Sequence, residues 1–220
     1  MQALEIVRNR AEDLVLERLL HLAHRHDRFI VDIENRLGGA IPVNQQPSFV
    51  TRVFLPPVSQ WERRTGPHFA VRAACDTMAY TTESKGRKFG REVYYPGMFL
   101  EFVRKEDSGL KYDTAHIRIR ADQIGADYKG PQIEKTGWWT FGMSFTRDGM
   151  IHFFAKPGIE DLTAEDHLAS HHSYGYRCQR FKTFFFNVCN GDNGRTWSTP
   201  WIIDDSRMFF IPTEVASKKK

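Results

Sequence analysis

Two regimes of hydrophobic patterning divide the chain. From Ala3 to about Leu37 the apolar residues Leu4, Ile6, Val7, Leu14, Leu16, Leu19, Leu20, Ala23, Phe29, Ile30 and Ile33 recur at helical spacing with no intervening proline, and Gly38 and Gly39 stop the run. This predicts an N-terminal amphipathic helix over residues 1–39. Such a helix docks on its own domain, pairs with a second copy to give a homo-oligomer, or links to a removed segment. Residues 40–67 carry Pro42, Pro47, Pro56, Pro57 and Pro67 around the apolar run Phe49 to Leu55, which predicts an extended connector with one edge strand.

Beyond residue 67 the period shortens. Apolar runs at 68–77, 98–104, 114–121, 138–146, 150–155, 181–189, 197–203 and 208–211 predict a mainly β domain over 68–213, an antiparallel sandwich or barrel. Alternation is cleanest from Ala115 to Arg120, where Ile117 and Ile119 face one way and His116, Arg118 and Arg120 the other, so one side of that sheet is polar. Arg147-Asp148-Gly149 between two runs predicts a tight hairpin. Thr163-Ala164-Glu165-Asp166 reads as an N-cap followed by acids, hence a short helix in the polar loop between Glu160 and Tyr176. Residues 214–220 are predicted to be a flexible basic tail.

Composition narrows this picture. A chain of 220 residues with 17 Phe, 7 Tyr and 5 Trp has ample bulk for one sizeable core, so disorder is excluded. The net charge of +4 owes part of its excess to Lys218, Lys219 and Lys220, and arginine is otherwise scattered singly, which argues against a nucleic-acid partner. No uninterrupted apolar stretch is long enough to predict a membrane span, and no signal peptide is evident. Cys75, Cys178 and Cys189 form no paired motif and read as buried small residues. Aromatic-rich sandwich faces lean toward an exported, periplasmic or extracellular setting, with any signal absent from this chain.

Asn190-Gly-Asp192-Asn-Gly194-Arg-Thr196-Trp197 resembles the Asp-box of sialidases and related β proteins. The resemblance implies a structural turn: Asp192 accepts from its own backbone, Gly194 adopts a left-handed conformation, and Trp197 restarts a strand by packing inward. One box in a β domain of this size points away from a propeller, which needs several blades. The stretch from Gly137 to Gly158 is similar to the central hairpin of concanavalin A-like lectin and glucanase domains. That resemblance implies an antiparallel two-sheet jelly-roll sandwich, here with an N-terminal helical extension. The Glu-x-Asp-x-x-Glu motif of the glucanases and the arginine and glutamine motifs of jelly-roll alginate lyases are absent from the sequence, so no catalytic residue carries over.

If the sheet bends as jelly rolls do, Arg72, Glu101, His116, Arg118, Arg120 and His152 converge on a concave face. Arginine there neutralises an anion and histidine acts as a base, as a polysaccharide lyase requires, whereas a glycoside hydrolase wants two carboxyls and Glu101 stands alone in a central strand. The plainer reading is a solvated strand face. Trp61, Tyr94, Tyr95, Trp138 and Trp139 are candidate sugar-stacking rings, with one ring of each adjacent pair turned to the core. His21, His24 and His26, and His167 with His171, are histidine clusters without a third zinc ligand. No cofactor is required; Ca²⁺ held by Asp192, Asp204 and Asp205 is a candidate. Three functions follow as expectations: a carbohydrate-binding or accessory module, a polysaccharide-cleaving enzyme, and an assembly protein oligomerising through the N-terminal helix.

Overall fold

The computed structural model describes residues 14–15, 19–21, 28–31, 33–83, 86–191 and 193–212. These form two antiparallel sheets. Sheet I has seven strands, ordered β1 (Leu14–Val15), β15 (Trp201–Phe209), β5 (Ser48–Leu55), β11 (Gly137–Phe145), β12 (Ile151–Pro157) and β13 (His167–His171), with β2 (Leu19–His21) also on β15. Sheet II has eight: β10 (Tyr128–Gln132), β9 (Thr114–Arg120), β8 (Gly97–Val103), β6 (Gly66–Glu83), β14 (Arg180–Val188) and β3 (Arg28–Val31), with β4 (Ile41–Pro42) on β14 and β7 (Gly86–Tyr94) on β6.

Alternation puts one face of each sheet into a shared core. Phe49 of sheet I stacks on Phe184 of sheet II at 4.6 Å between ring centroids, Phe69 meets Trp201 at 5.0 Å, and Phe145 meets Phe181 edge-on at 5.3 Å. Fully burying one such ring stabilises by roughly 1.5–3 kcal/mol, so these cross-sheet contacts clamp the layers together. The result is a β-sandwich.

Several expectations are corrected. Within the predicted N-terminal helix, the described residues Leu14–Val15, Leu19–His21 and Arg28–Val31 are paired strands, and the helix there is a single turn, Ile33–Arg36. The aromatic and β-branched run Phe29-Ile30-Val31 suits a pleated surface, and strands β14 and β15 offer it and its neighbours open backbone partners. The rest of that segment, with His24, His26 and the basic tail from residue 214, lies outside the described residues. The run Phe49 to Leu55 is no edge strand: β5 lies between β15 and β11, because its prolines flank the strand rather than interrupt it. The runs at 197–203 and 208–211 are one strand, β15, which begins at Trp201 and is broken only by a bulge between Asp204 and Arg207.

The hairpin at Asp148-Gly149 forms as the sequence predicts. Asp148 Oδ1 accepts from Thr146 Oγ1 at 2.6 Å, and Gly149 takes φ +82°. Thr163 does cap a turn, donating from its backbone N–H to Asp166 at 2.6 Å, but the turn is a single 3₁₀ element, Ala164–Asp166, and the chain continues as β13. Strands β7, β10 and β13 have no counterpart in the sequence reading, since each is mostly polar. The long strand β6 pairs with β8 up to Arg72 and with β14 up to Asp76; from Thr77 onward its partner among the described residues is β7, so the hairpin extends past the body of the sheet.

Candidate functional site

The register of sheet II gathers five of the six predicted polar residues on its outer face. Across the central strands Arg72 stands opposite Gly97, and Gly97 opposite Arg120; Phe99 is opposite Arg118, and Glu101 opposite His116. Directly paired residues share a face, so all these side chains point away from the core that Met98, Leu100, Ile117 and Ile119 fill. Gly97 is required at the centre of this array: a Cβ there would stand 2.6 Å from the Val71 carbonyl oxygen and 2.7 Å from Arg72 Cγ.

Aromatic rings hold the arginines. The Arg72 guanidinium lies over Tyr95, Phe99 and Phe185, with its carbon 5.5, 5.4 and 5.4 Å from the ring centroids, and Nη2 donates to the Tyr95 carbonyl at 2.9 Å. Arg120 shares Phe99 from the other side at 5.3 Å and donates from Nε to Asp127 at 3.0 Å. Cation–π contacts of this kind fix the plane of a guanidinium and the directions of its donors.

Beside them Glu101 Oε2 accepts from His116 Nε2 at 2.8 Å and from Arg118, whose Nε lies 2.6 Å away. His116 is buried, and burial holds its imidazole below the usual histidine range against the opposing pull of Glu101. Its Nδ1 is enclosed without a partner among the described residues. A base enclosed on one nitrogen and engaged by Glu101 on the other is poorly placed to take a proton from an external ligand.

A cleft of about 390 Å³ opens next to this cluster, lined in part by Tyr94, Tyr95, Ile124, Tyr174 and Tyr176. Of these, Tyr94 is paired with Cys75 on the core side of the sheet, buried and edge-on to Tyr176 at 5.4 Å. Tyr174 is held in a left-handed backbone, φ +62°, and its N–H donates to the Asp122 carbonyl at 2.8 Å, docking its loop on the turn after β9. A non-glycine residue in that region is strained, and such strain concentrates at binding and catalytic sites. Burial raises the Tyr174 hydroxyl above its ordinary range, against the opposing pull of Arg120 and Arg72. Nothing in the sequence singled out Tyr174 or Tyr176: both fall in a polar segment without periodicity.

The other candidates separate. His152 stands on β12 of sheet I, with Nδ1 against Ser170 Oγ at 2.7 Å and Nε2 against Thr146 Oγ1 at 3.2 Å, on the opposite side of the molecule's core from Arg72. Trp61, Tyr94 and Trp139 are buried and unavailable to a sugar, whereas Tyr95 is exposed and Trp138 is half-buried against Phe54 on sheet I. His167 and His171 lie on strand β13 rather than a helix, so the spacing of four does not bring their rings together. Asp205 is ion-paired with Arg52 and Arg207, and among the described residues no three His, Cys, Asp or Glu side chains cluster to hold a metal ion. Cys75 and Cys178 are buried free thiols. No described helix is long and apolar enough to cross a membrane.

The stretch resembling an Asp-box departs from expectation. Asp192 lies outside the described residues; it is Asn193 Oδ1 that accepts from the backbone N–H groups of Arg195 and Thr196, at 2.8 and 3.0 Å. Gly194 is left-handed as predicted, φ +66°. Trp197, however, is 70% exposed, and Trp201 takes the inward position, packed on Phe69 and Trp61. The loop is anchored by Glu62, which accepts from Gly191 N–H at 3.0 Å, Thr196 Oγ1 at 2.6 Å and Arg64 Nε at 2.8 Å. Burial alone would raise the Glu62 carboxyl; these donors outweigh it and hold it below the usual carboxylate range.

No family model and no curated protein matches the chain. Solved structures share its strand arrangement loosely. A carbohydrate esterase of the Shiga toxin-encoding bacteriophage phi24B is 9% identical over 93% of this chain and 89% of its own, with a TM-score of 0.47. Peanut lectin is 11% identical over 93% and 91%, TM-score 0.42. The alginate lyase AlyC3, solved with dimannuronate, is 7% identical over 91% and 71%, TM-score 0.40. Likenesses this distant assign neither a site nor an activity to the chain.

Proposed function

We propose that the chain is a carbohydrate-associated domain of jelly-roll type that binds an acidic glycan on the outer face of sheet II. One observation carries this reading: Arg72 and Arg120 are fixed around Phe99, beside a cleft walled by Tyr95, Tyr174 and Tyr176. A sugar ring offers apolar C–H surface to an aromatic wall, and a uronate carboxylate fits the forked donors of arginine. Binding rather than catalysis is favoured because His116, the histidine on this face, is enclosed and engaged by Glu101. A uronate held by arginine needs no metal, so Ca²⁺ is not part of this proposal.

The test is a polysaccharide panel, uronate polymers beside neutral glucans, with and without EDTA. Retention of uronate polymers alone, unaltered by EDTA and weakened about tenfold or more in Arg120→Ala, is the expected result, since a lost charge-assisted hydrogen bond is worth about 1.5–3 kcal/mol. Equal retention of neutral glucans, or no loss in Arg120→Ala, overturns it. A polysaccharide-cleaving enzyme is the second reading, favoured by the strained backbone of Tyr174 at the cleft wall; release of shortened chains from the same panel, abolished in Tyr174→Phe, would establish it.

A further inference from the structure

The outer face of sheet II does not end at Arg72 and Arg120. On β6, residues 72, 74, 76, 78 and 80 share that face, and the regular pairing with β7 places Arg91 beside Met78 and Phe89 beside Tyr80. The hairpin of β6 and β7 therefore carries the same surface outward past the body of the sheet. From Arg72 to Tyr80 the strand advances eight residues, about 26 Å at roughly 3.3 Å each.

At its outer part this surface repeats the chemistry of the inner site. Tyr80 and Phe89 lie 4.9 Å apart between centroids, tilted at 51°, and the Arg87 guanidinium carbon is 5.1 Å from the Tyr80 ring. Both rings are open to solvent, Tyr80 63% and Phe89 54% exposed, and Met78 lies beside them. An exposed aromatic pair on a two-stranded ribbon supports the local strand pairing but adds nothing to the core, and it leaves apolar ring surface open to a ligand. Between the two aromatic stations, the buried Asp76 carboxylate is shared by two arginines, with Arg91 Nη1 at 2.8 Å and Arg180 Nη2 at 2.6 Å. Glu34, which also acts on Arg180, is paired with Lys182 at 2.9 Å, so two acids face three cations at this junction and it favours an anionic chain.

Resting on the acidic-glycan reading above, we infer that the β6–β7 hairpin is a second subsite for the same ligand, which must then be a polymer. The inner station, Arg72 and Arg120 with the tyrosine cleft, holds one part of an acidic polysaccharide. The outer station, Tyr80, Phe89 and Arg87, holds a part several sugar units away. A short oligosaccharide reaches one station; a long one engages both, and the second contact is then intramolecular.

The experiment is a titration of the full chain with a size series of uronate oligosaccharides, from disaccharide to dodecasaccharide, with light scattering on the same samples. The expected result is a Kd that falls at least tenfold between the short and long members. Tyr80→Ala with Phe89→Ala returns the long members to the short-chain Kd, with a thermal midpoint close to that of the parent because both side chains are exposed. Length-independent binding, or a length effect kept in the double variant, overturns the second subsite and leaves the inner site standing. Absence of binding at every length overturns both. A dimer that the double variant dissociates, with the length effect intact, assigns the hairpin to a second copy of the chain and also overturns the inference.

Discussion

Arg72 is the residue on which the proposed site turns. Its guanidinium is held by three rings and by the Tyr95 carbonyl, so its orientation is set before any ligand arrives. Arg72→Lys keeps the charge but loses the planar fork and its stacking; we expect at least a fivefold weaker Kd for a uronate oligosaccharide in calorimetric titration, and an unchanged Kd would show that charge alone suffices. A second residue sets acid tolerance. His68 is fully buried between Trp61 and Phe102, with Nδ1 against Thr199 Oγ1 and Nε2 against the Arg64 carbonyl, and burial pulls its pKa down to about 4. The folded pKa lies below the unfolded one, so the unfolded chain binds the proton first as pH falls. Stability from this site is complete above about pH 6.5 and is lost progressively toward pH 4, a loss of the order of 3 kcal/mol. Glu62, also depressed, adds a loss in the same direction at lower pH. The thermal midpoint should therefore drop between pH 7 and pH 4.5 in the parent and drop less in His68→Gln; parallel curves would contradict this account.

At the level of strands, what the sequence makes legible is what local alternation encodes. The period of two from Ala115 to Arg120 put His116, Arg118 and Arg120 on one face, and the sheet keeps them there. Sheet membership is not local, and this is why the sequence pattern groups His152 with them although β12 belongs to sheet I. Strands β7, β10 and β13 leave no apolar period in the sequence, because their backbones are recruited by neighbouring strands while their side chains stay polar. The described pieces of the N-terminal run, Leu14–Val15, Leu19–His21 and Arg28–Val31, are strands where the sequence predicts helix, because apolar residues at irregular short spacing satisfy a helical template as easily as a strand one. The β6–β8 pair makes an element-scale prediction. Gly97 lets the two strands close at the centre of the site, so Gly97→Ala forces backbone apart where a Cβ would stand 2.6 Å from the Val71 carbonyl oxygen. We expect about 1–3 kcal/mol of destabilisation, read as several degrees in the thermal midpoint, together with weaker uronate binding. A Gly97→Ala chain with parental stability would mean that β8 can shift freely.

The whole molecule presents two unlike outer surfaces on one core. Sheet II carries ring-held arginines and the tyrosine cleft; sheet I carries the His152, Ser170 and Thr146 network and the half-buried Trp138. A ligand that is anionic and polymeric should prefer sheet II, and its affinity should fall as salt rises from 50 to 500 mM, conditions over which the Debye length shrinks from about 14 to about 4 Å. Flat salt dependence would favour neutral stacking alone. The most direct measurement of the central claim is an amide NMR titration with a uronate hexasaccharide. The account predicts that the shifting resonances map to Arg72, Gly97, Phe99, Arg118, Arg120 and Tyr174 on sheet II. Shifts confined to Trp138, His152 and Ser170 on sheet I, or no shifts at saturating ligand, would contradict it.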